Sequence, residues 1–305
     1  MTARNVYAAF GLRIRSEISL PHFIRLDSED YDVDIGFGEA ERPGRGSSFR
    51  GWEALPGQFF IDIPDIARML VRSGASILID AAPEVTEREL VMHVQGSAFA
   101  ALLQQRHMLP LHACAVETDR GALVVMGSSG AGKSTTLAAL TERGFRMLAD
   151  DVTAIAFADD GAPVVVPGFP ATRLWEDSVR VLRPSADTLD PVREGLAKYY
   201  LPVSKFRSEP MPLHAIAVLG EHNGDQALVA PLGAEERCAW LLQLVFRKKF
   251  MNGMGLQQFR FQAVTRIARS ARAIRLLRPQ EPFDPHGLVN RLTSHFEVQP
   301  ASEGG

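Results

Sequence analysis

Cysteine is scarce in this chain: Cys114 and Cys238 are the two among 305 residues, and they form neither a CxxC pair nor a Cys/His cluster. That argues against a disulfide-stapled scaffold and a structural zinc site, and leaves two thiols expected to be buried in a reducing compartment. Long apolar runs are also missing. Nothing approaches the roughly 18 apolar residues of a membrane span, and the start, "MTARNVYAAFGLRIRSE", lacks the apolar core of a signal peptide. A cytoplasmic protein without a membrane partner is the expectation. Excess charge of one sign is absent too, the net charge being −3 with a pI near 6.3, so no overall bias toward nucleic acid exists. No internal repeat and no heptad seam is visible.

What remains is a chain long enough for two domains, since domains commonly take about 100–200 residues. Up to about residue 85, short β-type segments such as "VYAAFGLRIR", "YDVDIGF", "QFFIDIP" and "ASILIDAA" alternate with turn-formers, predicting a small β-rich domain over 1–85. No catalytic cluster stands out there: His22 is isolated, and Glu29, Asp30 and Asp32 read as a solvated loop. Thr86 and Glu89 then form a T-x-x-E capping box before Leu90, Val94, Ala98 and Leu102 at helical spacing, which predicts a linking helix over 86–108.

From Leu109 the rhythm becomes mixed α/β, predicting a second domain over 109–300. "LHACAVET" and "ALVVMG" read as strands joined across Asp119-Arg120-Gly121, with a helix from Lys133 to Arg143 closed by Gly144. "FRMLADD" reads as a short strand, "VTAIAF" and "PVVVP" as a hairpin across Asp160-Gly161. "KYYLPV" and "LHAIAVLG" read as strands, and 233–247 and 284–296 as helices.

The segment Gly127-Ser128-Ser129-Gly130-Ala131-Gly132-Lys133-Ser134 fits G-x-x-x-x-G-K-[ST] without a mismatch, between a predicted strand and a predicted helix. Glycines let backbone N–H groups turn toward phosphate oxygens, the helix N-terminus adds its positive end, Lys133 reaches the terminal phosphates and Ser134 can ligate Mg²⁺. ATP with Mg²⁺ is therefore the expected ligand pair. One helix further on, "MLADD" ends an apolar strand in Asp150 and Asp151. One carboxylate suffices for the metal, and Asp150 is the candidate for holding it or for assisting the base. A second beside it can take the proton of an attacking hydroxyl, the role expected of Asp151.

"LHACAVETDRGALVVMGSSGAGKSTTLAALTERGFRMLADDVTAI" resembles the catalytic core of the HPr serine kinase/phosphorylase family, in which a histidine precedes the P-loop and an "ADD" strand follows it. Here His112 stands 21 residues before Lys133, and Asp151 stands 18 after it. The resemblance implies a P-loop, HPr-kinase-like (PEP-carboxykinase-like) α/β catalytic domain behind the β-rich segment. It gives His112 the task of supporting the base and the phosphate, and by analogy with the family's hexamers it implies a homo-oligomer. Two departures stand out. Thr135 occupies a place where the HPr enzymes commonly carry Glu, and "VPGFPATRLWEDS" lacks their second glycine-containing signature, so a dominant forward reaction is expected and the resemblance does not carry HPr over as the acceptor. "YAAFGLRIRSEISLP" and "GFPATRLW" are more similar to a subgroup of shorter HPr-kinase-like proteins, some of them kinases of lasso-peptide precursors acting at a serine near the peptide's C-terminus.

The expected activity is thus ATP-dependent transfer to a hydroxyl of a peptide or protein. A kinase of a small hydroxylated metabolite, or a nucleotide-binding sensor without transfer activity, stand as alternatives. Three further groups carry charge. Arg173, near Glu176 and Asp177, is a candidate phosphate contact, with Glu176 a poor candidate for metal. Lys198 in "AKYYLPV" is a candidate cation for the transferring phosphoryl group. Arg266, Arg269, Arg272, Arg275 and Arg278 recur every third residue, which reads as a solvated basic face, with "AIRLLRP" the end that could instead be a strand.

Overall fold

A computed structural model describes residues 4–44, 51–176, 179, 190–191, 198–280 and 284–302. Asp177 and the side chain of Lys198 lie outside the described residues. The chain divides into two compact units: Met1–Pro110 with Phe246–Gln262, and Leu111–Val245 with Ala263–Gly305.

In the first unit, period-two alternation builds one eight-stranded sheet in the order 24–26, 5–9, 12–16, 33–37, 76–81, 67–72, 58–63, 52–55. Pairing is antiparallel except where 33–37 lies parallel to 12–16 and to 76–81. Phe59, Met69, Val71, Ile77 and Ile79 are buried. Asp30 and Asp32 hold Arg13 at the surface. The helix begins as its capping box requires, with Thr86 Oγ1 accepting from Glu89 N and Glu89 accepting from Thr86 N. It runs as Glu87–His93, a π-helical turn Val94–Ala98, and Phe99–Gln105. Residues 246–262 join this unit by packing rather than by local signal: Phe250 packs its ring, tilted, against Trp52 and Phe59. Gly253 lies so close to Ala54 that a Cβ would meet its carbonyl oxygen at 2.4 Å.

The second unit is organised around Gly121–Gly127, a strand buried along its whole length as its unbroken apolar run demands. Ala113–Thr118 pairs with it antiparallel and Met211–His222 parallel; Arg272–Pro279 continues the parallel set. Three parallel strands therefore end along one edge, at Gly127, His222 and Pro279. The outer strands are Met147–Ala149 beside Ala113–Thr118, and Pro163–Val166 with Thr153–Phe157 beyond Met211–His222. Helices Lys133–Glu142 and Pro285–Phe296 pack Leu137, Leu140, Leu288, Leu292 and Phe296 against Cys114, Val116, Leu123 and Val125. Each such side chain taken out of water contributes about 1.5–3 kcal/mol. A small sheet of 171–175, 198–202 and 190–191 completes the unit.

Three expectations are corrected. The helix expected over 233–247 stops at Leu244, because Val245 leaves helical geometry at ψ 120° to form a bridge with Leu111. The five arginines do not make one stripe: Arg266 and Arg269 lie on helix Gln257–Ser270, whereas Arg272, Arg275 and Arg278 lie on a strand, where every third residue changes face. Arg278 is buried. Of the two thiols, Cys114 is buried and Cys238 only half-buried.

Candidate functional site

The strand Gly121–Gly127 delivers the glycine-rich loop. A Cβ at Gly127 would lie 2.8 Å from the carbonyl oxygen of Leu219, so the chain passes its parallel neighbour only as glycine. Ser128, Ser129 and Gly130 are exposed, Ala131 is buried, and Gly132 turns the chain into helix Lys133–Glu142 at φ 95°. Lys133 opens that helix with its side chain folded back over the loop. Its Nζ donates to the carbonyls of Gly127 and Ser128 and to Nε2 of His112, each at 3.0 Å. Thr135, the departure from the HPr pattern, is buried on the first turn of the same helix.

Asp150 and Asp151 follow the buried strand Met147–Ala149. The amide of Val152 donates to the carbonyl of Asp150 at 2.7 Å while Asp151 sits at φ 66°. This is a γ-turn of the rare positive-φ kind, strained for any residue with a Cβ and better tolerated by aspartate than by most. The turn sends the two carboxylates different ways. Asp150, buried, accepts from Ser134 Oγ at 3.0 Å through Oδ1, and from Thr172 Oγ1 at 2.6 Å and the Arg173 amide at 2.9 Å through Oδ2. Asp151, about a quarter exposed, pairs with Arg173 Nη1 at 2.9 Å through Oδ2, and its Oδ1 lies 3.5 Å from His112 Nδ1. Arg173 also lies over the ring of Tyr200 at 5.1 Å.

The hydrogen-bond chemistry fixes the imidazole. An ammonium has only hydrogens to give, so Nε2 of His112 accepts from Lys133 and Nδ1 carries the ring hydrogen, donating it to the carbonyl of Asp151 at 3.1 Å. A neutral histidine thus joins the loop lysine to the turn bearing Asp151. Beneath the loop, Cys114 Sγ donates to the carbonyl of Lys133 at 3.4 Å, and burial, with Asp150 adding to it, pushes its thiol well above the ordinary value.

Hard oxygen donors suit Mg²⁺, and Ser134 Oγ with Asp150 Oδ1 present two of them side by side. Among the described residues no group of three His, Cys, Asp or Glu could hold a metal by itself, so this pair fits an ion that takes its remaining ligands from phosphate and water. Of the sequence-predicted residues, His112, Lys133, Ser134, Asp150, Asp151 and Arg173 form one connected constellation. Lys198 begins the strand that pairs with 171–175. Two participants escaped sequence reading: Thr172, which holds Asp150, and Arg278, whose Nε donates to the carbonyl of Ala131 at 3.2 Å. A threonine in "ATRLW" carries no local signal for such a bond. The strand reading of "AIRLLRP" was the clue to Arg278.

No protein-family model and no curated protein matches the chain. Among solved structures it is similar to the Hpr(Ser) kinase/phosphatase from Coxiella burnetii, at 13% identity and a TM-score of 0.31, over 62% of this chain and 98% of that one. With so low a score, the chemistry of the site rests on its own residues. No described helix is long and apolar enough to cross a membrane.

Proposed function

We propose that the chain is an ATP- and Mg²⁺-dependent kinase that transfers the γ-phosphate to a hydroxyl of a peptide or protein, with a serine near the C-terminus of a lasso-peptide precursor as its acceptor. The observation that carries the reading is the continuity from the loop lysine to a half-buried carboxylate: Lys133 to His112, His112 to Asp151, Asp151 to Arg173. A nucleotide-binding sensor gives the second carboxylate and the histidine no shared task, whereas hydroxyl phosphorylation uses both. The peptide acceptor is supported by the resemblance of "YAAFGLRIRSEISLP" and "GFPATRLW" to precursor kinases.

Phosphoryl transfer demands positioning and charge more than covalent help. The loop amides and Lys133 hold the phosphates, and Lys133 exchanges its carbonyl partners for phosphate oxygens. Ser134 and Asp150 would hold Mg²⁺, which when bound would neutralise phosphate charge. Asp151 presents Oδ1 to the acceptor, with Arg173 fixing Oδ2. As the acceptor oxygen bonds to the γ-phosphorus, its proton passes to Asp151, and the bond from that phosphorus to the ADP oxygen breaks with its electron pair leaving on ADP. His112 holds the turn through the Asp151 carbonyl.

The test is incubation with ATP, Mg²⁺ and a precursor peptide, read by mass spectrometry. A peptide gaining one phosphate at serine, lost in Lys133→Ala with an unchanged melting profile, is the expected result. ATP turnover with no phosphorylated peptide, protein or metabolite would replace the kinase by a sensor.

A further inference from the structure

We infer that Arg278 is a positioning residue of the nucleotide loop: from near the end of the next strand but one it holds the Ala131 carbonyl and thereby sets the direction of the Gly132 N–H. The inference rests on the nucleotide-binding reading of that loop. Arg278 is the last residue but one of strand Arg272–Pro279, which runs parallel to Met211–His222; it is in register with Glu221, two residues beyond the level at which Gly127 begins the loop. Its side chain is only 9% exposed, unusual for arginine. Nε donates to Ala131 O at 3.2 Å, Nη1 to the carbonyls of Pro279 and Gln280, and Nη2 pairs with Glu221. The guanidinium is therefore fixed from its own strand end and from Glu221, and its remaining edge is applied to the loop.

The consequence follows from peptide geometry. In a planar trans peptide, C=O and N–H point in opposite directions. Holding the Ala131 oxygen toward the strand edge turns the next amide, that of Gly132, away from that edge. Gly132 stands at φ 95° and Gly130 at φ 86°, conformations in which glycine lets a peptide plane rotate at little cost. The loop's sequence gives the freedom to curl around a phosphate, and also the freedom to lose that curl. Arg278 removes the second freedom, which preorganises the cradle before nucleotide arrives.

Lysine at 278 keeps a charge but cannot reach Ala131 and Glu221 together, because it lacks the planar fork. Arg278→Lys should raise KM for ATP and Kd for ADP about tenfold, with kcat retained, since the lost interaction binds ground state and transition state alike. Amide hydrogen exchange across 127–134 should quicken, measured well below the melting temperature, while the strand 211–222 keeps its protection. Glu221→Gln, which loosens the guanidinium without touching the loop, should move both readouts the same way by less; it carries the test if Arg278→Lys fails to fold. Unchanged ADP affinity and loop exchange in the folded variant overturn this inference and leave the kinase reading standing. A wild-type chain that binds neither ATP nor ADP overturns both.

Discussion

Nζ of Lys133 donates to Nε2 of His112 at 3.0 Å, which makes the loop lysine and a histidine 21 residues earlier one unit. Because the same ring donates through Nδ1 to the Asp151 carbonyl, it also spans the gap to the strained turn. His112→Ala removes both bonds and should lower single-turnover transfer by roughly 10–100-fold, the cost of losing a hydrogen bond to a charged group. His112→Gln, whose amide oxygen accepts and whose NH₂ donates, should recover part of it. Equal losses in the two variants would show that the ring acts by shape and not through its two nitrogens.

Asp151→Asn is the informative change at the candidate base, because asparagine accepts positive φ as readily as aspartate and so leaves the γ-turn intact. The variant keeps shape but loses the proton acceptor and the ion pair to Arg173. Transfer should fall about 10²-fold or more, while ATP binding is kept or tightened as repulsion with the phosphates is relieved. Near wild-type transfer would remove the base assignment.

The sequence made some of this legible and hid the rest for identifiable reasons. Short-range signals were readable: the glycine-rich loop, the Thr86–Glu89 box, and the turns at Asp119-Arg120-Gly121 and Asp160-Gly161 all depend on residues within a few positions of one another. The association of 246–262 with the first unit was not, since it depends on Phe250 meeting Trp52 and Phe59 across some 190 residues. The divergence of Asp150 and Asp151 needed a positive φ that no glycine announces. Arginines at every third position mimicked a helix face, and only the strand assignment shows Arg278 turning inward.

The two thiols should behave differently. Burial, and then Asp150, raise the Cys114 pKa, so native Cys114 stays protonated where an ordinary thiol ionises. A thiol reagent near pH 8 should label Cys238 in the native protein and reach Cys114 only on unfolding. The linkage has a sign: above about pH 8.5 the unfolded chain releases the Cys114 proton while the native chain keeps it, so this residue's contribution to stability falls as pH rises. Cys114→Ala should therefore lose less stability between about pH 8 and 10 than wild type in urea titrations. Rapid native labelling at Cys114 would contradict its burial.

Thr172 supplies the last prediction. Asp150 has one oxygen toward Ser134, and the other is fixed by the Thr172 hydroxyl at 2.6 Å and the Arg173 amide at 2.9 Å. Those two donors decide which oxygen faces the expected Mg²⁺, in the way outer hydrogen bonds orient metal-binding groups generally. Valine at 172 keeps the branched shape on strand 171–175 but removes the hydroxyl, leaving Oδ2 of Asp150 with the Arg173 amide alone. If Asp150 serves the metal, Thr172→Val should raise the Mg²⁺ concentration for half-maximal transfer roughly 10-fold, with maximal rate at saturating Mg²⁺ largely restored. Mn²⁺ binding in the presence of ADP, followed by electron paramagnetic resonance, should weaken in parallel, a readout independent of turnover. Should the variant instead keep its metal dependence while losing rate at every Mg²⁺ concentration, Asp150 would belong with Asp151 in proton transfer, and the Ser134 contact would be structural.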